Sequence, residues 1–157
     1  MSRLLSYVLL PLLVFSLSAC GGSGDGASDG QSADASGQVT AADIGPVESV
    51  DLGAINQELV AQGEELFNTR CKTCHRMGER YIGPDLTNTV SERDPVYIMN
   101  MILAPEEMLQ KHHISKELLA EYGTMMTNQN LSEDQARAIL EYLRTVDESA
   151  GSATNTP

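Results

Sequence analysis

Two cysteines three positions apart, with a histidine directly after the second, stand at Cys71, Cys74 and His75 in the run Cys-Lys-Thr-Cys-His. Thiols at that spacing at the end of a helix reach two vinyl groups along one edge of a porphyrin. The next residue in the chain then lies under the metal. The order matters, because two thioether bonds fix the porphyrin plane relative to the imidazole. The pattern is that of covalent attachment of one haem c through Cys71 and Cys74, with His75 as an axial ligand to the iron.

Three rival chemistries fit less well. A structural zinc site needs four ligands, normally including a second Cys or His pair. The third cysteine, Cys20, belongs to a separate signal, and His112 and His113 are chain neighbours that do not aim at one metal. A thioredoxin-like redox pair needs an α/β setting, and no strand pattern is present. A plain disulfide, natural in an exported protein, leaves the adjoining histidine unexplained.

The second axial ligand decides what such a haem does, and a thioether there suits electron transfer at a raised potential. The candidates are Met99, Met101, Met108, Met125, Met126, His112 and His113. Met99 and Met101 sit in an apolar helical run and are expected to pack in the core, as is Met108. His112 and His113, beside Lys111, are expected on a solvated surface. Met125 and Met126 lie in an irregular Gly-Thr-Met-Met-Thr-Asn-Gln-Asn stretch, from which a flexible thioether can reach over a haem face.

Helices must position these groups. Ile55, Leu59, Gly63, Leu66 and Phe67 share one side of a helix that runs into Cys71. Residues 77–91, punctuated by Gly78, Gly83 and Pro84, read as irregular. Asp94 and Pro95 open a helix over 96–103, and Pro105 starts another over 106–111. A third short helix spans 115–122 and is ended by Gly123. Ser132 and Gln135 form a capping box, after which Ala136, Ile139, Leu140 and Leu143 repeat on one face. The expected domain is all-α, with four or five short helices around one covalently attached haem.

The rest of the chain is organised around that domain. Residues 1–19 combine Arg3, an apolar run over 4–17 and small residues before Cys20, the design of an export signal. The apolar run contains Pro11 and is short for a span of about 20 residues. Leu17, Ser18, Ala19 and Cys20 resemble the lipobox of bacterial lipoproteins, in which the cysteine is acylated and becomes the first residue. Gly21 after it resembles outer-membrane rather than inner-membrane sorting. Residues 20–53 are expected to form the lipidated cysteine and a flexible acidic tether of Gly, Ser, Ala and Asp, spanning about 30 Å. The domain is expected over 54–147, with a disordered tail over 148–157.

The net charge of −12 excludes a nucleic-acid footprint, and loss of Arg3 with the signal makes it one unit more negative. Arg70, Lys72, Arg76, Arg80 and Arg93 gather around the cysteine motif, against Glu79, Asp85 and Glu92. This placement implies a haem edge less negative than the back of the molecule.

The segment 54–147 resembles class I monohaem cytochromes c. Gly63 and Phe67 stand eight and four residues before Cys71, the family's spacing for crossing the last helix. Ile82, Gly83, Pro84, Asp85 and Leu86 resemble its Gly-Pro-x-Leu loop, and Leu140, Glu141, Tyr142 and Leu143 the aromatic end of its last helix. The resemblance implies that Pro84 packs on the proximal side and that a nearby carbonyl accepts the His75 Nδ1 proton. It aligns the family's methionine ligand with Met126, where Thr127 replaces the usual proline, and leaves Met125 as the alternative. It also sets Tyr97 where the family's aromatic donates to a haem propionate, with Arg93 as charge partner.

Motif, signal and resemblance together lead to the expectation of a lipid-anchored periplasmic carrier of single electrons. Its partners would be redox proteins: a membrane quinol oxidoreductase as donor, and a terminal oxidase or a denitrification or copper enzyme as acceptor. No small-molecule substrate is expected, and no acid–base constellation accompanies the motif, so an enzyme is not expected. The alternative is a haem sensor or small-ligand-binding lipoprotein, in which the loop methionine leaves the iron.

Overall fold

A computed structural model describes residues 37–153; the expected signal segment, Cys20 and the first part of the expected tether lie outside the described residues. Among the described residues six α-helices occur in order: α1 Gln57–Leu66, α2 Thr89–Glu92, α3 Pro95–Leu103, α4 Pro105–Lys111, α5 His113–Tyr122 and α6 Glu133–Ala153. No strand occurs among the described residues, and the all-α expectation holds.

The crossing of α1 and α6 organises the fold. The Asn56 side chain caps α1 by accepting from the amides of Glu58 and Leu59 at 3.0 and 3.3 Å. At the start of α6, Ser132 N donates to Gln135 Oε1 at 3.0 Å and Gln135 N to Ser132 Oγ at 3.3 Å, the capping box read from the sequence. Ala136, Ile139, Leu140 and Leu143 are all buried on its inner face. Burying each of the larger three contributes about 1.5–3 kcal/mol. Gly63 is the point of closest approach: a Cβ there would run into the Ala138 carbonyl and stand 2.9 Å from Tyr142 Cβ. One turn on, the rings of Phe67 and Tyr142 pack with centroids 5.4 Å apart.

A buried charge ties the same crossing together. Glu141 is 1% exposed, and its carboxylate accepts from Arg137, Arg144 and the Asn56 amide. Arg144 reaches on to the Gly53 carbonyl at 2.8 Å. The α1 entrance is thus held by hydrogen bonds as well as by packing.

The structure departs from the expectations drawn from the sequence in four places. First, residues 39–50 fall within the segment 20–53 expected to be a flexible tether, yet they pack on α3. Ala41, Ile44 and Val47 enter the core, and a turn of 3-10 helix forms over Ala41–Asp43. The reason is Asn100, fully buried in the apolar run of α3. Its Nδ2 donates to the carbonyls of Ala41 and Val47 at 2.7 and 2.8 Å, and its Oδ1 accepts from Val47 N at 2.9 Å. Gly45 lies so close that an added Cβ would stand 2.6 Å from Asn100 Cβ.

Second, α6 continues to Ala153 through part of the expected disordered tail. Third, the last residues of the irregular stretch, 89–91, form with Glu92 the one-turn helix α2, against which Asp147 acts from α6 by accepting from Ser91 N at 2.7 Å. Fourth, His112 is buried, not solvated. It sits at the α4–α5 junction with its ring 4.9 Å from that of Tyr97.

Candidate functional site

The end of α1 delivers the two cysteines. Beyond Leu66 the helix widens into a π turn over Phe67–Cys71, closed by Lys72 N donating to Phe67 O at 3.0 Å. The Thr69 hydroxyl donates to the carbonyls of Glu65 and Leu66 at 2.9 and 3.2 Å, competing for the acceptors that the α register would use. The next turn closes with Cys74 N and His75 N both donating to Cys71 O, at 3.0 and 2.9 Å. The two cysteine sulfurs are not joined to each other.

The loop after the motif folds back onto it. Gly83 N donates to Cys74 O at 2.8 Å, and Leu86 N to Arg76 O at 3.2 Å. This return brings the Pro84 carbonyl to 3.1 Å from His75 Nδ1, the contact that the resemblance implies. It also lays Gly83 flat on the imidazole, where a Cβ would stand 2.5 Å from Cε1. Asp85 staples the loop by accepting from Gly78 N, Thr87 N and the Thr87 hydroxyl at 2.8, 2.9 and 2.6 Å. Burial pushes its carboxyl up, but these hydrogen bonds together hold it below the ordinary range.

Burial lowers the His75 pKa, with the bond to Pro84 working against it. The neutral imidazole therefore donates Nδ1–H to Pro84 and leaves the Nε2 lone pair for a metal. Burial, and then the neighbouring Cys74, push the Cys71 thiol up to about 11.

Cys71, Cys74 and His75 open into one large cavity, about 1360 Å³ of space free of protein atoms with its open mouth included. Its walls are largely apolar, with Ile98, Leu109 and Leu143 among them, and Pro84, Arg93, Tyr97, Met125 and Met126 also line it. Cys71, Cys74, His75, Pro84, Arg93, Tyr97, Met125 and Met126 are therefore brought together around one cavity, whereas Lys72, Arg76 and Arg80 lie outside its lining. Met126 is partly buried there, while Met125 is 54% exposed. Met99 and Met108 pack in the core as expected, and Met101 packs against that core and lines the cavity as well.

Sequence reasoning missed Leu118, Leu119 and Tyr122, which close the cavity from α5. The apolar pair inside a short amphipathic helix was the available signal. The arginine cluster is also more neutralised than its local count implies. Arg76 pairs with Glu79 and stacks 3.8 Å over the Tyr81 ring. Arg80 pairs with Glu121 and lies 4.1 Å over the Tyr122 ring, which ties the motif loop to the end of α5.

A helical shell around a largely apolar cavity, with two cysteine sulfurs and a tautomer-fixed histidine at its wall, defines a holder for one covalently attached porphyrin. Comparison with known proteins agrees. The Cytochrome c family model matches residues 60–147. The structure of a cytochrome c from Rhodothermus marinus is similar at 58% identity and a TM-score of 0.68, covering 69% of this chain and 95% of that one. The cytochrome c domain of the pp3183 protein from Pseudomonas putida is similar at 28% identity and a TM-score of 0.54, covering 60% and 95%. Among curated proteins, Photosystem II extrinsic protein V of Synechococcus sp. (strain JA-3-3Ab) is 30% identical over 119 residues, or 68% of this chain. The chain spans 64% of the length of that relative.

The chain belongs to the cytochrome c family. Its cofactor is a covalently attached haem c, and the family's function is electron transfer. The residues present fit that group: paired sulfurs on one wall, an imidazole with Nε2 available, and a cavity that the side chains leave open.

Proposed function

We propose that the protein is a periplasmic electron carrier tethered to a bacterial membrane by lipid on Cys20, with His75 and Met126 as the axial ligands of its haem iron. The observation that carries the ligation is the pairing of His75 Nδ1 with the Pro84 carbonyl at 3.1 Å, while Met126 and both cysteine sulfurs line the same cavity. Met126 is favoured over Met125 because it is the more buried of the two.

In this reading each residue has a separate task. Cys71 and Cys74 hold the porphyrin edge. Pro84 orients the imidazole, and Gly83 leaves room for it. Tyr97 and Arg93, on the α3 side of the cavity, serve a haem carboxylate. The apolar wall excludes water, which reduces solvent reorganisation around a change of charge. Bound there, the haem supplies a one-electron ferric/ferrous couple. A thioether from Met126 would take the position that a water-open site leaves free and would raise the potential of the iron.

The tether reading rests on the residues before and at Cys20. No helix among the described residues is long and apolar enough to cross a membrane. In this reading several acyl chains on Cys20 hold the protein stably where one would not. Partners in this reading are a membrane quinol oxidoreductase and a terminal oxidase, or a denitrification or copper enzyme. Fractionation of cells fed a labelled fatty acid tests the anchor. Wild type should carry label and sediment with membranes, and Cys20→Ala should lose both; an unlabelled, soluble wild type would overturn it.

A further inference from the structure

Tyr97 and Met101 both line the haem cavity from α3, and behind them lies Ser115, the third residue of α5, with no exposed surface. Its hydroxyl stands 3.2 Å from Tyr97 Oη and 3.6 Å from Met101 Sδ. Neither the haem-attachment motif nor the likeness to cytochromes c assigns it a role. We propose that Ser115 is a positioning residue that donates to Tyr97 and so aims the tyrosine's own proton into the cavity, at a haem carboxylate. The inference rests on Tyr97 being a haem contact, as proposed for the site.

Counting protons decides the direction of these bonds. A serine hydroxyl has one proton to give, and a phenol one. Two closed arrangements exist. In the first, Ser115 donates to Tyr97, and Tyr97 donates into the cavity. In the second, Tyr97 donates back to Ser115, and Ser115 donates to Met101 Sδ. The second ends on a thioether, a weak acceptor. The first ends on an anion, and a charge-assisted bond is roughly twice as strong as a neutral one. Successive bonds running in one direction also polarise each other. The carboxylate therefore selects the first arrangement.

The ring is held for this task. Tyr97 is 6% exposed and is packed by the His112 ring at 4.9 Å, inclined by 52°. Burial raises the phenol's pKa, with the Ser115 bond and the Arg93 charge working against it, so the proton is retained at neutral pH and available to donate. The α4–α5 junction thus supplies both constraints, His112 on the ring plane and Ser115 on the hydroxyl.

The test uses the haem-loaded protein and reads the propionate bending modes by resonance Raman spectroscopy together with the midpoint potential. Tyr97→Phe should shift the modes and lower the potential, because a less compensated negative charge favours the ferric state. Ser115→Ala should move both in the same direction and by less. In the Tyr97→Phe background Ser115→Ala should move neither. If Tyr97→Phe moves both readouts and Ser115→Ala neither, or if their effects add, the role of Ser115 is overturned alone. If Tyr97→Phe moves neither, the reading of Tyr97 falls, and this inference falls with it.

Discussion

Replacing Gly63 with alanine probes the crossing that delivers the cysteines to the cavity. The new methyl group would overlap the Ala138 carbonyl and stand 2.9 Å from Tyr142 Cβ. The first obstacle is backbone, so no rotamer change relieves it, and α1 must move away from α6. Overpacking of this kind costs about 1–3 kcal/mol, and a backbone clash belongs at the upper end. Alanine recovers about 1 kcal/mol through its better helix propensity. The net loss is then about 2 kcal/mol. At about 4 °C per kcal/mol for a domain of this size, the thermal midpoint should fall by about 8 °C. Circular dichroism melts of the haem-loaded protein, with denaturant titrations beside them, measure it. The two helices also hold the Phe67–Tyr142 pair at 5.4 Å, so the near-ultraviolet signal of these rings should change too. An alanine variant as stable as wild type, or more stable, would refute the reasoning, because propensity would then outweigh the contact.

Three other perturbations have defined outcomes. Glu141→Ala removes the acceptor shared by Arg137, Arg144 and the Asn56 amide and should cost roughly 3 kcal/mol, the low end for breaking a buried pair, since both arginines retain some solvent contact; chemical denaturation reads it. Asn100→Ala unpins residues 41–47 and should cost roughly 3 kcal/mol, with loss of hydrogen-exchange protection at the Val47 amide that is steeper than in α6. Asp147 has its carboxyl pKa raised, by burial first, with the bonds from Ser91 working against it. A raised folded value favours the protonated form, so its contribution to stability is present at low pH and lost as pH rises through the folded pKa. Asp147→Asn should match wild type near pH 3 and be the more stable of the two at pH 7; melts across that range decide it.

How much of the molecule was legible depends on how local each cause is. The α6 helix declared itself because its cap and its apolar face are both written within consecutive residues, from Ser132 to Leu143. The haem-attachment site was equally plain, since chemistry demands the contiguous order of Cys71, Cys74 and His75. Pro84 could be assigned only through the family resemblance, because its carbonyl meets His75 by a loop return that no periodicity encodes. The packed segment over 39–50 was lost in a composition that begins as Gly, Ser, Ala and Asp. Its sign was the spacing of Val39, Ala41, Ile44, Val47 and Val50, together with an asparagine in the middle of the apolar run of α3. His112 next to Lys111 looked solvent-facing because its burial depends on Tyr97, fifteen positions away in sequence. Helix α2 is a single turn, stabilised from α6 by Asp147, and so has no pattern of its own.

The central claim is that Cys71, Cys74, His75 and Met126 make a six-coordinate electron-carrying haem, and the most direct test is the optical spectrum of the ferric protein. The wild type should show the far-red charge-transfer band of methionine–iron(III) coordination and bind carbon monoxide slowly in the ferrous state. Met126→Ala should abolish the band and lower the midpoint potential, and Met125→Ala should retain both. A wild type without the band that binds carbon monoxide rapidly would contradict the account and favour a sensor. A band that survives Met126→Ala and disappears in Met125→Ala would contradict the ligand assigned.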